Sequence, residues 1–209
     1  MKKALSLIII LCVVVSMFSV PVNAKSGSTG SKTKTITMYL NGEIRGIQEN
    51  CEVHYYSKWK APKETVVCGY IEFTTTRDET VIGVVFDTED AIEAEEAKLL
   101  CKYLTNKKYK KQLFAYMCDG FSIDKKDADK YFKLKKDGNG KYMLIMDMGN
   151  QYGVFRAIDG SHVFMYFTET DKESVSGSLK KKLVSYIKQV KIEKIVVGVN
   201  ESDYDDYNE

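Results

Sequence analysis

Four times along this chain a short run of β-forming residues meets a tight turn and is followed by a second such run. The turns are Asn41-Gly42, Arg77-Asp78-Glu79, Asp137-Gly138-Asn139-Gly140 and Asp159-Gly160-Ser161. Asn-Gly and Asp-Gly pairs supply the positive φ that two-residue hairpin turns need. Residues 35–40 and 43–47 therefore read as one hairpin about Asn41-Gly42. Residues 131–135 with 141–148, and 152–158 with 162–168, read as two more. Residues 51–57 and 65–76 are rich in Val, Ile, Tyr, Phe and Thr and read as further strands, the first turning back on the second about residues 59–63. Residues 80–86 form an apolar run without alternation, the pattern of a strand covered on both faces.

Helical periodicity interrupts the strands twice. Thr88 can cap a helix whose first turns carry Glu89, Asp90, Glu93, Glu95 and Glu96, favoured there by the helix dipole. Leu99, Leu100, Tyr103 and Leu104 continue it at helical spacing. A second helix spans about residues 174–191, with Leu179, Leu183, Tyr186, Ile187 and Val190 on one face. Residues 112–118 fit either a strand or a short helix, residues 122–130 a short helical turn, and residues 192–199 a closing strand. The expected fold is α+β: a predominantly antiparallel sheet with two main amphipathic helices. Tyr70, Phe73 and Val81 match Tyr152, Phe155 and Val163 at a fixed offset, and similar helices follow. A duplicated β-β-α unit would place both helices on one side of a shared sheet, although any two such units share this apolar pattern.

The N-terminus is of another kind. Lys2 and Lys3 precede an apolar stretch over residues 5–20, and Val22-Asn23-Ala24 offers a signal-peptidase site, so residues 1–24 read as a cleaved export signal. The apolar stretch is short for a membrane span. Cys12 lies within it, and Leu11 stands where a lipidation signal wants a small residue. Cleavage removes Lys2 and Lys3 and leaves 29 basic against 29 acidic residues. That balance disfavours a generally cationic nucleic-acid or membrane binder. Residues 25–34 form a Gly/Ser-rich leader, residues 35–200 a single domain, and residues 201–209 an acidic, disordered tail.

Four cysteines remain. Cys51 and Cys68 straddle the expected turn at residues 59–63, and Cys101 and Cys118 span a helix end, so the expected disulfides are Cys51–Cys68 and Cys101–Cys118, with four free thiols as the alternative. Neither His54 nor His162 stands at ligand spacing from a cysteine, and no metal or other cofactor is expected. The same two histidines are the weak catalytic candidates for a secreted hydrolase. In the turn, Asp159, Ser161 and His162 are expected to point apart and to form no triad. The turn at residues 137–140 lacks the downstream ligands of a calcium loop.

Two features suggest binding instead. Lys107, Lys108, Lys110 and Lys111 open a stretch, residues 106–136, with ten lysines against four aspartates and no arginine. Such a surface can attract polyanions without fork-type recognition. Tyr55, Tyr56 and the single tryptophan, Trp59, fall with Tyr39 and Tyr70 on neighbouring expected strands, where rings combine apolar area with a polar handle. The reading is a secreted, extracytoplasmic, non-enzymatic binding domain, its partner an extracellular protein or a cell-envelope polymer. The alternatives are the His/carboxylate hydrolase and a polyanion-binding surface protein.

Overall fold

The computed structural model describes residues 33–44, 47–61, 69–87 and 94–196. Nine strands and four helices follow in the order β1 (Thr33–Ile44), β2 (Ile47–Tyr56), β3 (Tyr70–Thr74), β4 (Thr80–Asp87), α1 (Ala94–Thr105), α2 (Lys110–Phe121), α3 (Ala128–Tyr131), β5 (Phe132–Lys136), β6 (Tyr142–Asp147), β7 (Gln151–Ala157), β8 (His162–Glu169), α4 (Gly177–Ile187) and β9 (Lys191–Val196). The α+β class with antiparallel sheets is as the sequence implies.

The strands form two sheets. One has the order β1-β2-β9 and the other β3-β4-β8-β7-β6-β5, antiparallel throughout. The six-stranded sheet is the middle layer. One face packs with β1, β2 and α4 around Ile71, Phe73, Phe164 and Tyr166. The other packs with α1 and α2 around Phe86, Leu144, Phe155 and Met165. Two buried faces explain the unalternating apolar runs of β4, β7 and β8. Tyr166 joins the layers by donating its hydroxyl hydrogen to the His54 carbonyl, 2.5 Å away.

Several turns form as expected. Thr75 Oγ1 accepts from the backbone N–H of Arg77 and Glu79, closing the β3–β4 hairpin with Asp78 at φ +58°. Residues 137–140 and 159–161 connect β5 to β6 and β7 to β8. Asn41-Gly42 does not turn the chain. β1 runs through both residues, with a register shift between Leu40 and Ile44, and turns after Ile44. The long, regular pairing of Thr33–Leu40 with Glu49–Tyr56 overrides the local signal.

Other expectations are corrected. β2 does not pair with β3, since the two strands belong to different sheets, and β2 is flanked by β1 and β9. Cys51 is a buried free thiol. Cys68 lies outside the described residues, and the β2–β3 pairing that motivated a Cys51–Cys68 bridge is not formed. Cys101 and Cys118 are also buried free thiols, carried on separate helices, because the ambiguous residues 112–118 are helical. That helix, α2, is as long as α1, so three sizeable helices replace the expected two. The proposed duplication also fails. Phe73 and Val81 face the core with α4 whereas their matches Phe155 and Val163 face the core with α1, and the two helices lie on opposite sides of the sheet. The expected Thr88 cap with Glu89, Asp90 and Glu93, the export signal, the leader up to residue 32 and the acidic tail lie outside the described residues. Among the described residues, no helix is long and apolar enough to cross a membrane.

Candidate functional site

The core between the two sheets has two polar ends, and each holds part of what the sequence suggested. Inward-facing rows run along three strands: Cys51, Val53 and Tyr55 on β2; Val81 and Val85 on β4; Phe164 and Tyr166 on β8. Strand alternation assigns the next inward position at one end of each row to Glu49, Asp87 and His162. Asp87 pairs directly with His162 across β4 and β8, and Glu49 reaches them from the other sheet.

His162 is 1% exposed. Its Nε2 lies 3.1 Å from Glu49 Oε2 and 3.6 Å from Asp87 Oδ2. Its Nδ1 lies 3.0 Å from Asp159 Oδ2. Asp159 Oδ1 accepts the backbone N–H of Ser161 at 2.7 Å and of His162 at 2.8 Å, an Asx-type turn that curls the carboxylate back under the ring. The expectation that Asp159 and His162 point apart is therefore overturned, and Ser161 contributes its backbone N–H to the arrangement. Lys194 on β9 sits 2.5 Å from the other Glu49 oxygen, Oε1. Burial alone would lower the His162 pKa, but the Asp159 hydrogen bond and the charges of Asp159, Asp87 and Glu49 outweigh it and hold the imidazole above its ordinary value. Burial would raise Asp159, yet hydrogen bonds from His162 and Ser161 hold it well below the usual carboxylate range. Glu49, Asp87 and His162 each offer a ligand atom within 4.8 Å of the others, the combination that could hold a metal ion.

At the opposite end of the same core, a cleft of about 330 Å³ opens between the β3–β4 turn, the end of β2 and the first turns of α4. Tyr56 and Trp59 line it, with Lys58, Arg77 and Lys182 as cations and Glu79 as an acid. Thr75, Thr76, Ser176 and Ser178 add hydroxyls. Trp59 is wedged edge-on against Tyr186 at 5.8 Å and against Tyr56 at 6.5 Å, which fixes its plane. Lys182 Nζ stands 3.7 Å above the Tyr56 ring. Ser176 caps α4 by accepting from Leu179 N–H at 3.3 Å, so the positive end of that helix faces the cleft.

The sequence candidates thus divide. Tyr56 and Trp59 reach the cleft. Tyr55 turns inward and stacks on Phe73 at 5.0 Å, and of Tyr39 only the strand position is described. His54 sits outside both sites, with Nε2 3.0 Å from Glu52 Oε1 in a contact without hydrogen-bond geometry. Lys107, Lys108, Lys110 and Lys111 lie on the helical layer beyond the six-stranded sheet. Lys102 and Lys108 cover the Tyr109 ring, Lys110 pairs with Asp129 at 2.6 Å, and Lys125 and Lys126 pair with Asp119 and Asp124. Sequence reasoning missed Glu49, Arg77 and Lys182. A carboxylate in register with Cys51, Val53 and Tyr55, the inward row of β2, was the available signal for Glu49. Comparison of the chain with protein-family models and with curated proteins finds no match.

Proposed function

We propose that the protein is a secreted, non-enzymatic binding domain whose cleft beside Trp59 takes an anionic segment of a cell-envelope polymer. The cleft carries the reading: three cations and four hydroxyls against one carboxylate, around two rings and a helix N-terminus. Cations and oriented N–H dipoles favour an anion, while the half-buried Tyr56 and the largely buried Trp59 add apolar area to the wall beside it. The export signal at residues 1–24 supports an extracytoplasmic setting.

The hydrolase reading draws less support. His162 is buried and both ring nitrogens already face carboxylates, so it offers no free base to a substrate. The lysine cluster is partly neutralised by aspartates, which weakens a polyanion surface there.

Trp59 is the chain's single tryptophan, so its emission reports on the cleft directly. Titration with a poly(glycerol phosphate) and with poly-glutamate should change that emission saturably, and affinity should fall as salt rises. Lys182→Ala and Arg77→Ala should each weaken binding about tenfold, matching the loss of one charge-assisted contact of about 1.5 kcal/mol. Unchanged emission with both polymers, or loss of binding only when Lys107, Lys108, Lys110 and Lys111 are replaced by Gln, would overturn the assignment to the cleft.

A further inference from the structure

We infer that Glu49, Asp87 and His162 form a binding site for one divalent cation, Zn²⁺ fitting best, held between the two sheets. Three observations converge. The three side chains come from β2, β4 and β8, two different sheets, and occupy inward positions where their neighbours in each row are apolar. Asp159 engages Nδ1, so Nε2 is directed at Glu49 and Asp87, and in the neutral ring with its proton on Nδ1 the Nε2 lone pair faces both carboxylates. A carboxylate on the distal nitrogen is the usual device for orienting a metal-bound imidazole and raising its basicity. A proton bridges one edge, whereas a divalent ion bridges all three.

The spacing agrees. Bonds of about 2.1 Å to a tetrahedral ion place ligand atoms about 3.4 Å apart. The two distances from Nε2 are 3.1 and 3.6 Å. Lys194 engages Glu49 Oε1 and leaves Oε2 facing the imidazole, which favours single-oxygen ligation. One nitrogen and two carboxylate oxygens are too few protein ligands for Ca²⁺, which takes six to eight oxygens, and the imidazole favours Zn²⁺ over Mg²⁺. Glu49 is the most exposed of the three, its side chain 18% accessible, so a water completing the ion's coordination enters beside it. The bound ion would pin β2 to β4 and β8, a role independent of the cleft at the far end of the core.

The test is titration of the chelator-treated full chain with ZnCl₂, MnCl₂, MgCl₂ and CaCl₂, followed by calorimetry and by thermal unfolding. The expected result is one tight Zn²⁺ site per chain and a higher Tm that EDTA reverses. His54→Gln should leave this binding unchanged. Glu49→Gln should weaken it more than tenfold, and Asp159→Asn, which loosens the ring without removing a ligand, by about 10- to 100-fold. Co²⁺ loading of the unaltered chain gives a second reading that needs no variant: visible d–d absorption of a four- or five-coordinate ion is expected. Absence of binding by all four cations, binding that Glu49→Gln leaves intact, or a Co²⁺ spectrum of a fully hydrated octahedral ion would each overturn the inference.

Discussion

Arg156 Nε donates to Asp137 Oδ2 at 3.2 Å, a pair in which the aspartate side chain is fully inaccessible and the arginine nearly so. The same guanidinium donates through Nη1 to the carbonyls of Ile187, the last residue of α4, and of Val190, three residues further on. One side chain on β7 thus holds both the β5–β6 turn and the end of α4, whose carbonyls have no partner within the helix. Removing either partner leaves the other buried without its counter-charge. Arg156→Met and Asp137→Asn should each destabilise the fold, the former by about 3–5 kcal/mol, read as a lower urea midpoint at unchanged slope.

The same pair sets a pH dependence. Burial would raise the Asp137 pKa, but the Asn139 N–H and the Arg156 guanidinium outweigh it and hold it below its ordinary value. A carboxylate depressed on folding contributes stability that is present above its unfolded pKa of about 3.9 and is lost as pH falls through the folded value. Stability should therefore decline below about pH 4 more steeply in the parent than in Asp137→Asn. Urea unfolding at several pH values between 2.5 and 7 checks this. Equal slopes would mean that Asp137 is not held ionised by Arg156.

What the sequence disclosed divides along a physical line. Features set by neighbours in the chain were legible: the turns at 77–79, 137–140 and 159–161, the doubly covered strand β4, and the apolar face of α4. Features set by distant pairing were not. Asn41-Gly42 carries a strong turn signal, yet β1 continues through it because its register with β2 is decided along its whole length. The assignment of β2 to a separate sheet with β9 leaves no local trace, and it removed the basis for the Cys51–Cys68 bridge. α2 was ambiguous because Leu113, Phe114, Met117 and Cys118, its buried positions, sit in a run too short for period alone to decide. The His162 cluster was hidden for the same reason. Its members lie on three strands of two sheets, and only β-register brings them together. In the cleft Trp59 could be suspected, whereas Lys182 and Arg77 could not.

Gly83 occupies a position where the core has no room for a side chain. A Cβ there would lie 2.8 Å from Ile71 Cγ2 and 2.9 Å from Phe164 Cζ, both in the core between the sheets. Contacts that short force the aromatic ring or the β3–β4 pair to shift. Gly83→Ala should cost about 1–3 kcal/mol, although alanine is otherwise the better strand residue. Thermal unfolding checks it, and a neutral result would mean that Phe164 can move at little cost. At Gly160 a Cβ meets nothing, so Gly160→Ala serves as the unstrained control.

The cysteines give the last test, since it separates the structure from the bridged alternative. Burial pushes the Cys101 thiol up to about 11 and holds Cys51 far above its ordinary value, with nearby carboxylates adding to both shifts. The thiolate is the reactive form, so at pH 8 both should be almost entirely protonated and slow to alkylate while the chain is folded. Iodoacetamide at pH 8 should leave Cys51 and Cys101 unlabelled in the native protein. After unfolding without reductant it should label Cys51, Cys101 and Cys118. A Cys101–Cys118 bridge would instead keep that pair unlabelled until reductant is added, a difference that peptide mass mapping reads directly. Reaction of Cys101 in the folded chain at the rate of an exposed thiol would show that α1 opens from the sheet far more readily than its packing against Phe86 and Val163 implies.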